Sequence, residues 1–184
     1  MDTKTNDAGD VRAILERARL LVLDVDGVMT DGKVVYASAG GAVTEVQSFD
    51  VQDGIALRWL SKAGMKIAWI TGRGCQVTAH RARELRIDAL EMQVERKSEV
   101  LQIVQERFGV GVAETIAMGD DLPDLGLRAR AAWFAAPANA RVEVKERADL
   151  VLSRSGGDGA VRELAEILLR ARGRWQAIVD AAAQ

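Results

Sequence analysis

Five carboxylates, two cations and a hydroxyl stand in short clusters along the chain: Asp24-Val25-Asp26-Gly27, Thr71-Gly72-Arg73, Lys97, and Gly119-Asp120-Asp121 with Asp124. Carboxylates crowded into a partly dry site repel one another, and a divalent cation removes that repulsion. A ligand set made only of oxygen favours magnesium or calcium. Lys97, the Thr71 hydroxyl and the backbone N–H groups of Gly27 and Gly72 add donors. Donors that face carboxylates across a cation suit a phosphoryl group. Asp24 could then attack phosphorus and form an aspartyl-phosphate. Asp26 could protonate the leaving oxygen and later take a proton from the attacking water. In an extended chain positions i and i+2 lie on one side, so both carboxylates can flank the same phosphorus. Magnesium would neutralise the phosphoryl oxygens and the nucleophile.

This chemistry requires that distant clusters meet. Each follows a short apolar run: residues 20–23 end at Asp24, residues 67–70 at Thr71, and residues 115–118 at Gly119. Weaker runs lie at 87–92, 131–135 and 148–152. Continuous apolarity fits strands buried on both faces, as in a parallel sheet. Amphipathic segments alternate with the runs. One face is Ile55, Ala56, Trp59, Leu60 and Ala63, with Asp53 placed to cap and Gly64 to terminate. A second is Val100, Leu101, Val104 and Phe108, stopped by Gly109, and a third is Val161, Leu164, Ala165 and Leu168. The fold class expected is α/β: a three-layer Rossmann-like parallel sheet with right-handed crossovers. Ligands of such sheets bind beyond the carboxyl ends of the strands, where all four clusters fall. One insertion interrupts the rhythm: residues 33–36 and 43–49 flank Gly40-Gly41 and read as a β-hairpin.

The run LLVLDVDGVMTDG, followed by ITGR, Lys97 and MGDDLPD, resembles the haloacid dehalogenase superfamily. With SFDVQDGIALRWL and GGDGAVREL the likeness extends over residues 20–173, to the capless branch of 3-deoxy-D-manno-octulosonate 8-phosphate phosphatases, which contribute to lipopolysaccharide synthesis. The resemblance implies Asp24 as nucleophile and Asp26 as acid/base, with its carbonyl on magnesium. It implies Thr71 and Lys97 on phosphate, Asp120 as metal ligand, and Asp121 and Asp124 supporting the metal directly or through water. Arg73 would stand near the organic part of the substrate, and the family pattern implies a homotetramer. The gaps 28–52 and 74–96 are too short for a lid domain, which fits the capless branch. Neighbouring subunits are then expected to cover the site, using the 33–49 hairpin and the tail around Trp175. One position departs from the family: the loop before the last long helix reads Gly156-Gly157-Asp158-Gly159, where GGRG is usual. An arginine suits an acidic sugar and Asp158 does not, which leaves a nonulosonate or other sugar phosphate as an alternative substrate. Asp158 could instead cap the following helix.

The 184 residues fit one domain: a leader over 1–10, a phosphatase domain over 11–173, and a tail over 174–184 available for a subunit contact. With 25 Lys+Arg against 27 Asp+Glu the net charge is −2, no footprint for nucleic acid. The single Cys75 excludes an intramolecular disulfide, no secretory h-region precedes Val11, and no apolar run spans a bilayer, so a cytoplasmic location is expected. Bland roles suit several other residues: exposure for His80, burial for Cys75, core positions for Trp59, Trp69 and Trp133, and a solvated helix face for residues 141–147. Two other function classes remain open, a non-catalytic oligomerisation or regulatory module and a phosphoprotein phosphatase using an uncovered site.

Overall fold

Strand β1 (Leu20–Leu23) is buried over its whole length because its alternate residues feed two separate cores. The structure, a computed structural model describing residues 8–183, continues with a hairpin of β2 (Val35–Ala39) and β3 (Ala42–Val46). The strands β4 (Lys66–Ile70), β5 (Ala89–Glu91), β6 (Thr115–Met118), β7 (Trp133–Ala136) and β8 (Leu150–Val151) follow. The parallel sheet has the order β5-β4-β1-β6-β7-β8, with β1 between β4 and β6.

Leu21, Leu23, Ile67, Trp69, Ile116 and Met118 face one core, and Leu20, Val22, Ala68, Ile70, Ala117 and Phe134 face the other. On the first face lie α1 (Ala8–Arg17), α2 (Val51–Lys62), α3 (Gln76–Leu85) and α7 (Ala160–Ala171), through residues such as Leu15, Leu57, Ala82 and Leu164. On the second lie α4 (Lys97–Phe108), α5 (Leu125–Arg128) and α6 (Val142–Lys145), through Leu101, Leu127 and Val144. Each fully buried Leu or Ile contributes about 1.5–3 kcal/mol, so a core on both faces fixes the strand ends firmly. The helices change face between β5 and β6, where the strand order reverses, and this makes the switch point at β1 the expected place for a ligand.

Several expectations shift. Helix α1 begins at Ala8, inside the stretch read as a leader; residues 1–7 lie outside those described. Val11, Ile14 and Leu15 carry its apolar side. The helix cap is Asp50, not Asp53: the Asp50 side chain accepts from the Gln52 and Asp53 N–H groups. Asp53 lies inside α2, fully buried, and its Oδ1 accepts the Arg162 N–H of α7 at 2.7 Å. Asp158 does not cap α7: it is exposed, 4.0 Å from Arg154, while Gly159 occupies the cap position without a side-chain bond. Trp69 and Trp133 are core, but Trp59 is only partly buried, meeting Trp175 edge-on beneath the Arg162 guanidinium. The tail forms α8 (Trp175–Ala182), packed on α7. His80 is exposed and Cys75 buried, as expected.

The hairpin is the insertion that the sequence announces, with its first strand shifted to Val35–Ala39 and its second, Ala42–Val46, shorter than expected. Nearly every residue in it is exposed, Tyr36 at 66% and Val43 at 70%. No other insertion interrupts the described residues, so the fold has no cap domain. Among the described residues no helix is long and apolar enough to cross a membrane.

Candidate active site

The three strands bearing polar clusters are adjacent, and their carboxyl ends open into a cleft of about 540 Å3. Backbone bonds carry the ladder one residue past each strand: Asp24 N–H to Met118 O at 3.1 Å, Gly119 N–H to Ala135 O at 3.3 Å, Thr71 N–H to Glu91 O at 3.0 Å. The polar residues therefore begin where sheet geometry ends. Asp24, Asp26, Thr71, Lys97, Asp120 and Asp124 all line this cleft, the convergence that the sequence argument required.

The inner half of the site is dry. Lys97, at the first turn of α4, is 5% exposed, and its ammonium donates to Asp24 Oδ1 and, at 2.6 Å, to Asp124 Oδ1. Two of its three N–H bonds are so used, which leaves one for an incoming anion. Asp124 Oδ2 accepts the Asp120 and Asp121 N–H groups at 2.9 and 3.1 Å, so Asp124 shapes the loop and faces the cluster at once. One carboxylate oxygen each from Asp24, Asp120 and Asp124 lie within 4.8 Å of one another. Burial, reinforced by Asp124, pushes the Asp24 carboxyl up to about 8 against the pull of Lys97. Burial with Asp124 and Asp121 pushes Asp120 up to about 7. Burial draws the Lys97 ammonium downward, but Asp24 and Asp124 outweigh it and the net shift is upward.

These residues fit a divalent cation. Asp120 Oδ1 is buried without a hydrogen-bond partner among the described residues, a desolvated oxygen that a cation would satisfy. Three hard carboxylate oxygens converge, and burial with the nearby carboxylates raises two of the groups, Asp24 and Asp120. The backbone makes room for this: at Gly27, φ +96°, an added Cβ would lie 2.1 Å from Asp120 Oδ2. The Gly27 N–H, expected as a free phosphate donor, is instead donated to Thr30 Oγ1 at 3.3 Å, so the position contributes mainly its missing side chain.

The outer half is partly open and organised around Asp26. Its Oδ2 accepts from the Thr71 hydroxyl at 3.2 Å, and its Oδ1 from Gln47 Nε2 at 3.3 Å. Arg73 Nε approaches Oδ1 at 3.4 Å as an ion pair, although it is not aligned for a hydrogen bond, and the Arg73 fork pairs with Glu45 of β3. The Asp26 carboxylate is thus engaged by these partners and is not one of the three that converge. Asp121 is also outside that cluster: it is exposed, and its side chain accepts the Leu122 N–H to cap a short 3-10 turn. Gly72 sits exposed on the cleft wall.

Three further groups hold the loop after β1, and sequence reasoning did not single them out. Thr30 Oγ1 also accepts the Gly32 N–H at 3.2 Å. Asn139, after β7, donates to Gly27 O at 2.9 Å and accepts the Gly156 N–H at 2.6 Å, clamping the nucleophile loop to the 156–159 loop. Gly156 is the residue such closeness demands, because a Cβ there would lie 1.8 Å from Gly27 O. Asn139 carried one faint signal, a polar residue just past a strand end. Gln47 carried none, since the pairing to Asp26 spans 21 residues.

A family model described as haloacid dehalogenase-like hydrolase matches residues 93–164. The chain is 34% identical over 160 residues to the 3-deoxy-D-manno-octulosonate 8-phosphate phosphatase KdsC of Haemophilus influenzae, covering 87% of each chain. Among solved structures, the 3-deoxy-D-manno-octulosonate 8-phosphate phosphatase of Moraxella catarrhalis, in complex with a magnesium ion, a phosphate ion and a KDO molecule, superposes with a TM-score of 0.89 at 32% identity, covering 96% of this chain and 99% of that one. The cobalt-bound form of the Haemophilus influenzae phosphatase gives a TM-score of 0.83 at 33% identity, covering 88% and 93%. Likeness in fold and in sequence over most of the chain means descent from a common ancestor: the chain belongs to the haloacid dehalogenase-like hydrolase family, among its phosphoric monoester hydrolases.

Proposed function

We propose that the chain hydrolyses the phosphate monoester of a small acidic sugar, 3-deoxy-D-manno-octulosonate 8-phosphate, to the free sugar acid and phosphate. The observation that carries this reading is the buried Asp24 held by Lys97 beside Asp120 and Asp124 at two adjoining strand ends. The Moraxella relative, seen with phosphate, KDO and magnesium, supports the substrate class and the cation. Asp24, Asp120 and Asp124, with the Asp26 carbonyl, would hold magnesium, which supplies charge neutralisation for the phosphoryl oxygens.

The chain's own residues then divide the work. An Asp24 carboxylate oxygen attacks phosphorus as the phosphorus–oxygen bond to the sugar breaks, and the departing oxygen takes the proton of the Asp26 carboxyl. Water next attacks the aspartyl-phosphate and gives its proton to the Asp26 carboxylate. The bond between phosphorus and Asp24 breaks, phosphate departs, and both carboxyls return to their starting states. The free N–H of Lys97 and the Thr71 hydroxyl, released from Asp26 as the anion arrives, bind phosphoryl oxygens, with Gly72 beside them. Arg73 faces the organic part of the substrate.

The cleft has no lid in this chain, and bulk water weakens binding of a small substrate. Neighbouring copies in a homotetramer would cover it, through the exposed hairpin and α8. Lipopolysaccharide precursor synthesis is the pathway such an activity serves, and the single Cys75 suits a reducing cytoplasm. A related nonulosonate or other sugar phosphate is the second reading, and Asp158, an anion where the family resemblance implies arginine, favours a less acidic sugar within it. The test is a panel of octulosonate 8-phosphate, nonulosonate 9-phosphates and neutral sugar phosphates, measured by phosphate release with magnesium. A preference of at least about tenfold in kcat/KM for the octulosonate ester is expected. A preference for a neutral sugar would contradict the acidic-sugar reading, and silence across the panel would favour a non-catalytic module.

A further inference from the structure

The hairpin touches the catalytic domain through very few groups, and they converge on one carboxylate. Glu45 and Gln47 alternate along the extended chain and so share a side. Glu45 holds the Arg73 fork, and the Gln47 amide nitrogen lies 3.3 Å from Asp26 Oδ1. Gln47 is itself held at its other end: the hydroxyl of Thr78, 1% exposed on α3, donates to Gln47 Oε1 at 2.8 Å. Asp26 decides which way the amide faces, and Thr78 holds its far end in place. A flipped amide would set its carbonyl against the Asp26 carboxylate, which has no proton to offer when ionised, whereas the Thr78 hydroxyl can donate or accept. The arrangement is therefore a two-step relay of position, from the rigid helix α3 through Gln47 to Asp26.

We propose that Gln47 is a positioning residue for Asp26, with Thr78 fixing Gln47 in turn, and that it sets the efficiency of proton transfer to the leaving group. This rests on the acid/base role given to Asp26 in the proposed function. Asp26 follows a buried nucleophile but is itself half-open, so its rotamer depends on the polar groups around it. Thr71 holds one oxygen in the free enzyme, and Arg73 Nε approaches the other at 3.4 Å without the alignment of a hydrogen bond. Gln47 gives that second oxygen its hydrogen bond and aligns the carboxyl plane. Proton transfer is steeply sensitive to such alignment, whereas attack by Asp24 is not affected by it.

The consequence is a dependence on leaving group. A sugar alcohol leaves poorly unless it is protonated, while an aryl oxygen such as that of 4-nitrophenyl phosphate leaves without help. Gln47→Met keeps the length of the side chain and removes the amide. It should lower kcat by about tenfold or more on a sugar phosphate that the enzyme turns over, and by less than about threefold on 4-nitrophenyl phosphate. Thr78→Val, which keeps the buried shape, should produce the same selectivity to a smaller degree. An equal loss on both substrates, or no loss on either, in both variants would overturn the proposal. Asp26→Asn measured in parallel separates the two levels of the argument. If it shows the selective loss while Gln47→Met does not, the acid role stands and the positioning role falls. If Asp26→Asn shows no selectivity, the acid role itself falls and this inference falls with it.

Discussion

The inner and outer halves of the cleft are built on different physical principles. The inner half, Asp24, Lys97, Asp120 and Asp124, consists of charges taken out of water and held by the sheet, by α4 and by one another. The outer half, Asp26, Thr71, Arg73, Glu45 and Gln47, is half-solvated and joins the sheet to an exposed hairpin that has almost no core of its own. Burial gives the inner half strong electrostatics, because an unpaired charge there is costly. Partial exposure gives the outer half room for the organic part of a substrate and for moving protons. The proposed mechanism assigns nucleophile and cation to the first half and leaving-group chemistry to the second.

Asp24→Asn attacks the inner half directly. A neutral amide is a poor nucleophile, and turnover should fall by more than about a thousandfold on every substrate, good or poor leaving group alike. Asp26→Asn attacks the outer half and should cost about 10²–10³-fold on a sugar phosphate but much less on 4-nitrophenyl phosphate. Equal losses on both substrates would erase the division. Chelation should silence the enzyme and magnesium restore it. Magnesium should also raise the melting temperature of the wild type by mass action, and raise that of Asp120→Asn less, because the amide carries no charge for the cation. An identical thermal response in the two proteins would remove Asp120 from the cation site.

The smallest effect concerns a buried carboxylate with no role in the cleft. Burial, opposed by the Arg162 N–H, pushes Asp53 up to about 6 from 3.8. The folded state then binds more protons than the unfolded one between these values. Stability is therefore lost as pH rises from about 4 to 6, by at most about 3 kcal/mol for this group. Asp53→Asn keeps the bond to the Arg162 N–H and removes the titration. Denaturant midpoints at pH 4 and pH 8 should show the variant gaining on the wild type at the higher pH, whatever constant offset its amide introduces. A gap that does not change with pH would contradict the assignment.

How far the fold was legible follows the same division. The strands were readable because β1, β4 and β6 are apolar without alternation, and their polar ends name the inner site directly. The placing of Asp53 as a helix cap failed because two aspartates stand three apart, and only the backbone shows that α2 starts one turn earlier, at Asp50. Asp158 looked like a cap for α7, but the bond to the Arg162 N–H comes from Asp53, 109 residues away. Gln47, Thr78 and Asn139 were illegible for the same reason: each acts through a partner far along the chain, and no local pattern records it. Local chemistry can be read along a chain, whereas support brought in from another element cannot.

The central claim is that Asp24 carries the phosphoryl group. Acid-quenching the magnesium-loaded enzyme during turnover, followed by peptide mass analysis, tests it most directly. One phosphoryl group is predicted on the peptide that contains Asp24, labile to hydroxylamine and absent from Asp24→Asn. A phosphoryl group on any other residue, or wild-type turnover by Asp24→Asn, would contradict the account.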